Sequence, residues 1–326
     1  MNTNATDSFK KINIWIFITA FNQFRSQHQF ITMRKYFLLL FVIIQCWNVQ
    51  AQQKKVVDKQ SNDSHVTQKI SGTFKSTRVI NAHSTEMLVK GSMDVRILHR
   101  FGLINQGYKQ FYGLDNATMR MGFDYGVTQN LMVGIGRSTF RKELDAFVKI
   151  RFLQQTSVYK AIPLSVLVAG GATVWTEQSF DSVKPHLADR TAFYLQLIMG
   201  KKFTNSLSLQ LSPILVNSGR AVNSGGNETI VAIGGGGRIR LSKRMALTID
   251  YHHLLGSIKP GNRSPLSIGV DIGTGGHVFQ LHFSNAAGMN ERAYITQTTN
   301  NFFKGDIRFG FNLSRLFFLG KQVNSK

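Results

Sequence analysis

Between residues 86 and 314 the chain repeats one pattern, with apolar side chains at every second position and polar or small ones between them. The clearest stretch is 119–135. Met119, Met121, Phe123, Tyr125 and Val127 share one parity, and Arg120, Gly122, Asp124 and Gly126 share the other. A polar turn, Thr128-Gln129-Asn130, follows, and Leu131, Val133 and Ile135 resume the alternation. Period two is the signature of a strand with one greasy and one polar face. The unit recurs from Met87, Val89, Met93, Val95 and Ile97 to Ile307, Phe309, Phe311 and Leu313, and predicts twelve strands. One of them, near residues 164–175, is greasy on both faces and reads as packing against something inside.

The connections alternate in length. Short turns fall at 128–130, 157–163, 204–206, 242–244 and 274–276, and longer polar loops at 103–115, 177–189, 217–227, 257–264 and 286–303. Only 141–143 breaks the rhythm. Long strands joined by short turns at one end and long loops at the other are the asymmetry of outer-membrane barrels; a soluble sandwich, the competing all-β reading, lacks it. No apolar run in the body is long enough for a helical span, and only helices and closed barrels satisfy their backbone in lipid. The expectation is an all-β, antiparallel, up-and-down transmembrane β-barrel of about 12 strands over 86–318, with 319–326 as a periplasmic tail. Arg137 shares the parity of Leu131, Val133 and Ile135, so it must lie at the outer rim, or a bulge must shift the parity before it.

Upstream, Met33-Arg34-Lys35-Tyr36 forms a basic head, 37–44 (FLLLFVII) an apolar run, and Val49-Gln50-Ala51 a small-residue cut site before Gln52. That order reads as a secretory signal peptide over 33–51, with Met33 the expected start and 1–32 an extension outside the pattern. Residues 52–85 read as a periplasmic lead-in; for 73–85 periodicity leaves open a docking segment or a short strand inside the barrel. Cys46 lies within the signal, so the exported chain would carry no disulfide and no thiol chemistry.

The charge is strongly basic, with Lys+Arg 39 against Asp+Glu 17. Such an excess ordinarily points to nucleic acid, but an exported chain meets phosphate-bearing lipid heads or anionic solutes instead.

Four blocks are similar to a known family: 74–84 (FKSTRVINAHS), 115–137 (DNATMRMGFDYGVTQNLMVGIGR), 277–292 (HVFQLHFSNAAGMNER) and 305–314 (GDIRFGFNLS). Together they resemble the domain of unknown function 5777 family, single-chain β-barrel proteins of Bacteroidetes. The resemblance implies an outer-membrane location. It implies no activity and carries over no functional residues.

The polar parity carries the candidate chemistry. Arg96, Arg120, Asp124, Lys149, Arg151, Arg238, Arg240, Asp250, His282 and Arg308 are the candidate lumen-lining residues. Basic residues outnumber acidic ones there, which would give an open passage a mild preference for small anions. The opposing reading is that these charges pair across strands and close the lumen. The longest loop bearing a family block offers Asn290, Glu291 and Arg292 as a constriction that folds into the barrel mouth and bonds to lumen charges.

Other motifs argue against specific chemistry. His252 and His253 are adjacent on a strand, point to opposite faces and cannot chelate one ion together. The glycines at 234–237 lack a phosphate-loop ending and lie mid-strand, where close backbone approach or a barrel bend explains them. No Ser and His with an orienting carboxylate meet on one outward face, as an outer-membrane lipid hydrolase would need. No cofactor, metal or enzyme activity is expected. The leading expectation is a narrow passive channel; the alternative is a closed structural or partner-docking barrel.

Overall fold

The computed structural model describes residues 68–157, 161–177, 186–220, 227–256 and 260–319. The expected signal peptide, the extension before it and the end of the tail lie outside the described residues. Twelve antiparallel strands close into one barrel. They are β1 (Ser92–Leu103), β2 (Ala117–Gly126), β3 (Leu131–Ser138), β4 (Glu143–Leu153), β5 (Ser165–Trp175), β6 (Thr191–Lys202), β7 (Leu207–Arg220), β8 (Asn227–Arg240), β9 (Met245–Leu255), β10 (Leu266–Thr274), β11 (His277–Ser284) and β12 (Arg308–Phe318). Each strand pairs with its neighbours in sequence, and β12 returns to β1.

The alternation decides which way each side chain faces. Along β2, Met119, Met121, Phe123 and Tyr125 are exposed on the outer wall, while Arg120, Gly122, Asp124 and Gly126 are buried inside. Along β9, Leu247, Ile249 and Tyr251 face out, and Thr248, Asp250 and His252 face in. A closed ring pairs every strand and leaves no unpaired edge in the hydrocarbon. Aromatic pairs reinforce the closing seam: His99 of β1 stacks on Phe311 of β12 at 4.9 Å, and Phe101 on Phe309 at 5.9 Å. Among the described residues no helix is long and apolar enough to cross a membrane.

Two boundaries differ from expectation. The first strand starts at Ser92 rather than near Glu86, because the Glu86 carboxylate is turned back to accept from the Thr73 N–H at 2.7 Å and the Phe74 N–H at 3.2 Å. Two strands, β3 and β11, are only 8 residues long. The part of the lead-in at 73–85 lies inside the barrel, the second of the two placements its sequence leaves open. Pairing of β2 with β3 and of β3 with β4 runs without a register shift, so Arg137 keeps its outward parity and sits at the rim, one residue from the end of β3.

Candidate functional site: a two-part plug in the lumen

The lumen is filled from both ends. From the short-turn end, residues 73–85 enter as a tight hairpin. The Val79 N–H donates to the Ala82 carbonyl at 2.8 Å, the Ser84 N–H donates to Thr77 at 3.0 Å, and Arg78 bridges His83. A hairpin inside a barrel has no sheet to complete its backbone bonds, so the wall must do it. The Asp250 carboxylate caps the turn, accepting from the N–H groups of Ile80, Asn81 and Ala82 at 3.3, 2.8 and 3.0 Å. Gln280 donates to the Val79 carbonyl at 2.7 Å, Asn312 to Ile80 at 3.0 Å and Gln210 to His83 at 2.7 Å. Lys149 Nζ reaches the carbonyls of Thr77 (3.3 Å) and Glu86 (2.7 Å). Arg151 reaches Thr85 at 3.2 Å, and Arg238 reaches Gly72 and Thr73 at 2.8 and 3.0 Å. Arg96 binds the Thr77 hydroxyl and, at 2.9 Å, the Ser76 hydroxyl. Arg100 donates to the Asn81 side chain at 2.8 Å.

Glycines in the wall let the hairpin come this close. A Cβ at Gly236 would lie 3.1 Å from Val79 Cγ2, and one at Gly200 would clash with Thr85 Cγ2. Just before the hairpin, Gln68–Lys69 pairs with Thr156–Ser157, and Lys202 donates to the Ser71 carbonyl at 3.2 Å. The segment is thereby tied to the short-turn end.

From the long-loop end, residues 285–300 fold inward around a single helical turn and a half, α1 (Glu291–Thr296), every residue of which is buried. Asn290 caps α1 by accepting from the Ala293 N–H at 2.9 Å. Its amide also donates to Glu143 of β4 at 2.6 Å, and Arg292 pairs with the same carboxylate while stacking over Trp175 at 4.3 Å. Glu291 points deeper and pairs with Arg78, so the two segments meet at one buried ion pair. His83 Nε2 lies 3.3 Å from Glu291 and 3.0 Å from the Tyr194 hydroxyl. Burial, reinforced by the Arg78 guanidinium, holds the His83 imidazole well below its ordinary range and keeps it neutral beside that pair.

The wall is not uniform. Leu167, Ala169, Ile198, Ile214 and Val216, on β5 to β7, share one buried apolar cluster with Tyr294 and Ile295 of the loop. The inward face of β5 contributes Leu167 and Ala169 to that cluster. On β9 to β12 and β1 the wall is polar and faces the hairpin.

The membrane bound beta barrel domain family, DUF5777, matches this sequence over residues 74–317, from the first residues of the hairpin to the end of β12. The chain belongs to this family. Its match includes the hairpin, so the segment that fills the lumen is part of the family's domain and not an appendage to it. No curated protein sequence matches the chain. Among solved structures it is similar to the NanC porin (8% identity, TM-score 0.42, 69% of this chain and 98% of that one) and the KdgM porin (8%, 0.42, 69% and 99%). Omp33 of Acinetobacter baumannii is also similar (9%, 0.39, 70% and 99%). At these scores the likeness concerns barrel architecture alone.

In this DUF5777 barrel the ten candidate lumen residues are not equivalent. Arg96, Lys149, Arg151, Arg238 and Asp250 bond directly to the hairpin. Arg120 instead forms a two-bond pair with Asp145 in the wall at 2.8 and 2.5 Å. Asp124 lies 4.0 Å from Arg96. His282 is buried with Nδ1 3.3 Å from the Gln280 carbonyl. Arg308 is half-buried at the start of β12 and donates to the Phe101 carbonyl at 3.2 Å. Arg240 is the last residue of β8, at the short-turn end, and is exposed. Sequence reasoning did not single out Arg78, Asn81, His83, Glu143, Gln210, Gln280 or Asn312, all of which hold the plug together. The signal available was an excess of amide and guanidinium donors on the polar parity of β7, β11, β12 and β1, beyond what opposing carboxylates could absorb.

Proposed function

We propose that this outer-membrane barrel is closed at rest by its own chain and serves as a membrane-embedded holder for its N-terminal segment, without free passage of solute. The observation that carries this reading is the burial of every residue of the hairpin, 73–85, except Lys75, with its carbonyls engaged by side chains from strands around the wall. It also supports a different role for the basic excess. Cations that would attract anions in an empty lumen donate here to main-chain oxygens, which a lone hairpin cannot otherwise satisfy.

A gated passage is the second reading. It is favoured by the polar character of the contacts that hold the hairpin, which water can replace. Both carboxylate oxygens of buried Asp124 lack a hydrogen bond among the described residues, so the network around Arg96 and Arg120 has capacity to rearrange. Once freed of the hairpin, Arg96, Arg100, Lys149 and Arg238 would give the passage a mild preference for small anionic solutes.

Planar-bilayer recording of the intact chain, beside a variant lacking residues 73–85 and 288–299, tests both. The first reading expects silence from the intact chain and steady conductance from the variant. The second expects brief openings of the intact chain, more frequent in Glu291→Gln. Steady conductance from the intact chain would contradict both.

A further inference from the structure

We propose that the outer wall at the long-loop end of β2 to β5 is a binding site for a lipid with a phosphate-bearing head group from the outer leaflet. The barrel's outer surface there is not flat. The cross-strand row Phe123–Ile135–Ala146–Ala172–Phe193 places two alanines between bulky neighbours, since Ile135 is 61% and Phe193 58% exposed. The result is an apolar groove of ≈ 460 Å³ on the lipid-facing wall. Its upper row is Met121–Arg137–Leu144–Val174, so a guanidinium closes its outer end.

Arg137 stands on the parity that faces lipid, where a cation is costly unless it reaches the interface or an anion. Its Nη1 donates to the Lys142 carbonyl and, at 2.9 Å, to the Thr176 hydroxyl, and among the described residues its other donors have no hydrogen-bond partner. The turn beside it adds Arg141 and Lys142, both exposed and both in the left-handed region at φ 49°. Left-handed backbone in two successive residues that are not glycine is strained, and such strain collects at binding sites. The acid that follows them, Glu143, points into the lumen and is taken by Asn290 and Arg292. Among the described residues, none of the three cations forms an ion pair. The site therefore presents three cations at head-group height above a slot for hydrocarbon. That complements a phosphorylated head above an acyl chain, the guanidinium matching phosphate in two-bond geometry.

The test is native mass spectrometry of the full chain in a non-ionic detergent, titrated with bisphosphorylated lipid A and with its dephosphorylated form. The intact chain should retain lipid A and bind the dephosphorylated form at least about fivefold more weakly. Arg137→Ala and Lys142→Ala should each weaken lipid A binding about fivefold. Ala146→Phe with Ala172→Phe should weaken it with every charge in place, because the slot is filled. Heat-modifiable gel migration confirms that each variant is folded. Should Arg137→Ala not fold, the groove-filling variant decides alone. Equal retention of the two lipids, or undiminished binding by the groove-filling variant, would overturn the proposal. So would a dimer of the intact chain that groove filling abolishes, since the groove would then hold a second copy of the chain.

Discussion

The hairpin at 73–85 and the loop at 285–300 occupy one lumen, yet most of the wall's bonds to the first go to its main chain, while the charged contacts of the second go through its side chains. The hairpin's carbonyls and N–H groups take the bonds from Asp250, Gln280, Asn312, Gln210, Lys149 and Arg238. The loop is held by two carboxylate pairings, Glu143 with Asn290 and Arg292, and Glu291 with Arg78. Main-chain gripping spreads the hold over many modest bonds, to which the side chains of Ser76, Thr77 and Asn81 add a few. Side-chain gripping concentrates it in a few buried charges, each of which leaves an unpaired partner when removed.

That contrast can be broken most sharply at the junction of the two segments. Glu291→Gln leaves Arg78 buried without its carboxylate and should lower the stability of the folded barrel by about 3–5 kcal/mol, read from the urea midpoint in lipid vesicles. Arg78→Met with Glu291→Met should lose much less than the two single changes summed, because no charge is stranded. Glu143→Gln follows, at about 2–3 kcal/mol, since it weakens the bonds from Asn290 and Arg292 together. Asp250→Ala should cost about 1–3 kcal/mol and speed amide exchange at Asn81 and Ala82 while sparing α1. Arg238→Gln, a single main-chain grip among many, should cost about 1 kcal/mol. If Arg238→Gln proved as damaging as Glu291→Gln, the two segments would not differ in the way described.

The smallest expected effect concerns pH. The folded-state pKa of His83 is lowered from its ordinary 6.5, so its contribution is full above that value and is lost as pH falls below it. The urea midpoint should therefore decline less steeply between pH 7 and pH 5 in His83→Gln than in the intact chain. Identical slopes would mean that His83 is not held neutral in the plug.

The twelve strands and the rhythm of turns and loops could be read from the sequence because a barrel wall imposes period two on every strand. The plug could not. Residues 73–85 show no alternation, since their partners are wall side chains from distant strands rather than neighbouring strands. What the sequence did hold was the complement: Arg96, Lys149, Arg238 and Asp250 stand on the inward parity and need something polar to meet. Parity alone cannot say whether that something is water, a solute or the chain itself. It also cannot say how far along the wall a charge sits, which is why Arg240 reads as inward and lies exposed at the end of β8. The 286–303 loop is marked by its length and by the family block that runs into it, but its partner Glu143 is remote in sequence and carries no local signal.

The most direct test of a lumen filled by the chain itself is backbone amide exchange of the folded protein in detergent, followed by mass spectrometry. Residues 73–85 and 288–298 should be protected to the level of β1 and β9 and should exchange far more slowly than the exposed loop at 104–116. Exchange of either segment as fast as that loop would mean it does not reside in the lumen, and would contradict the closed barrel.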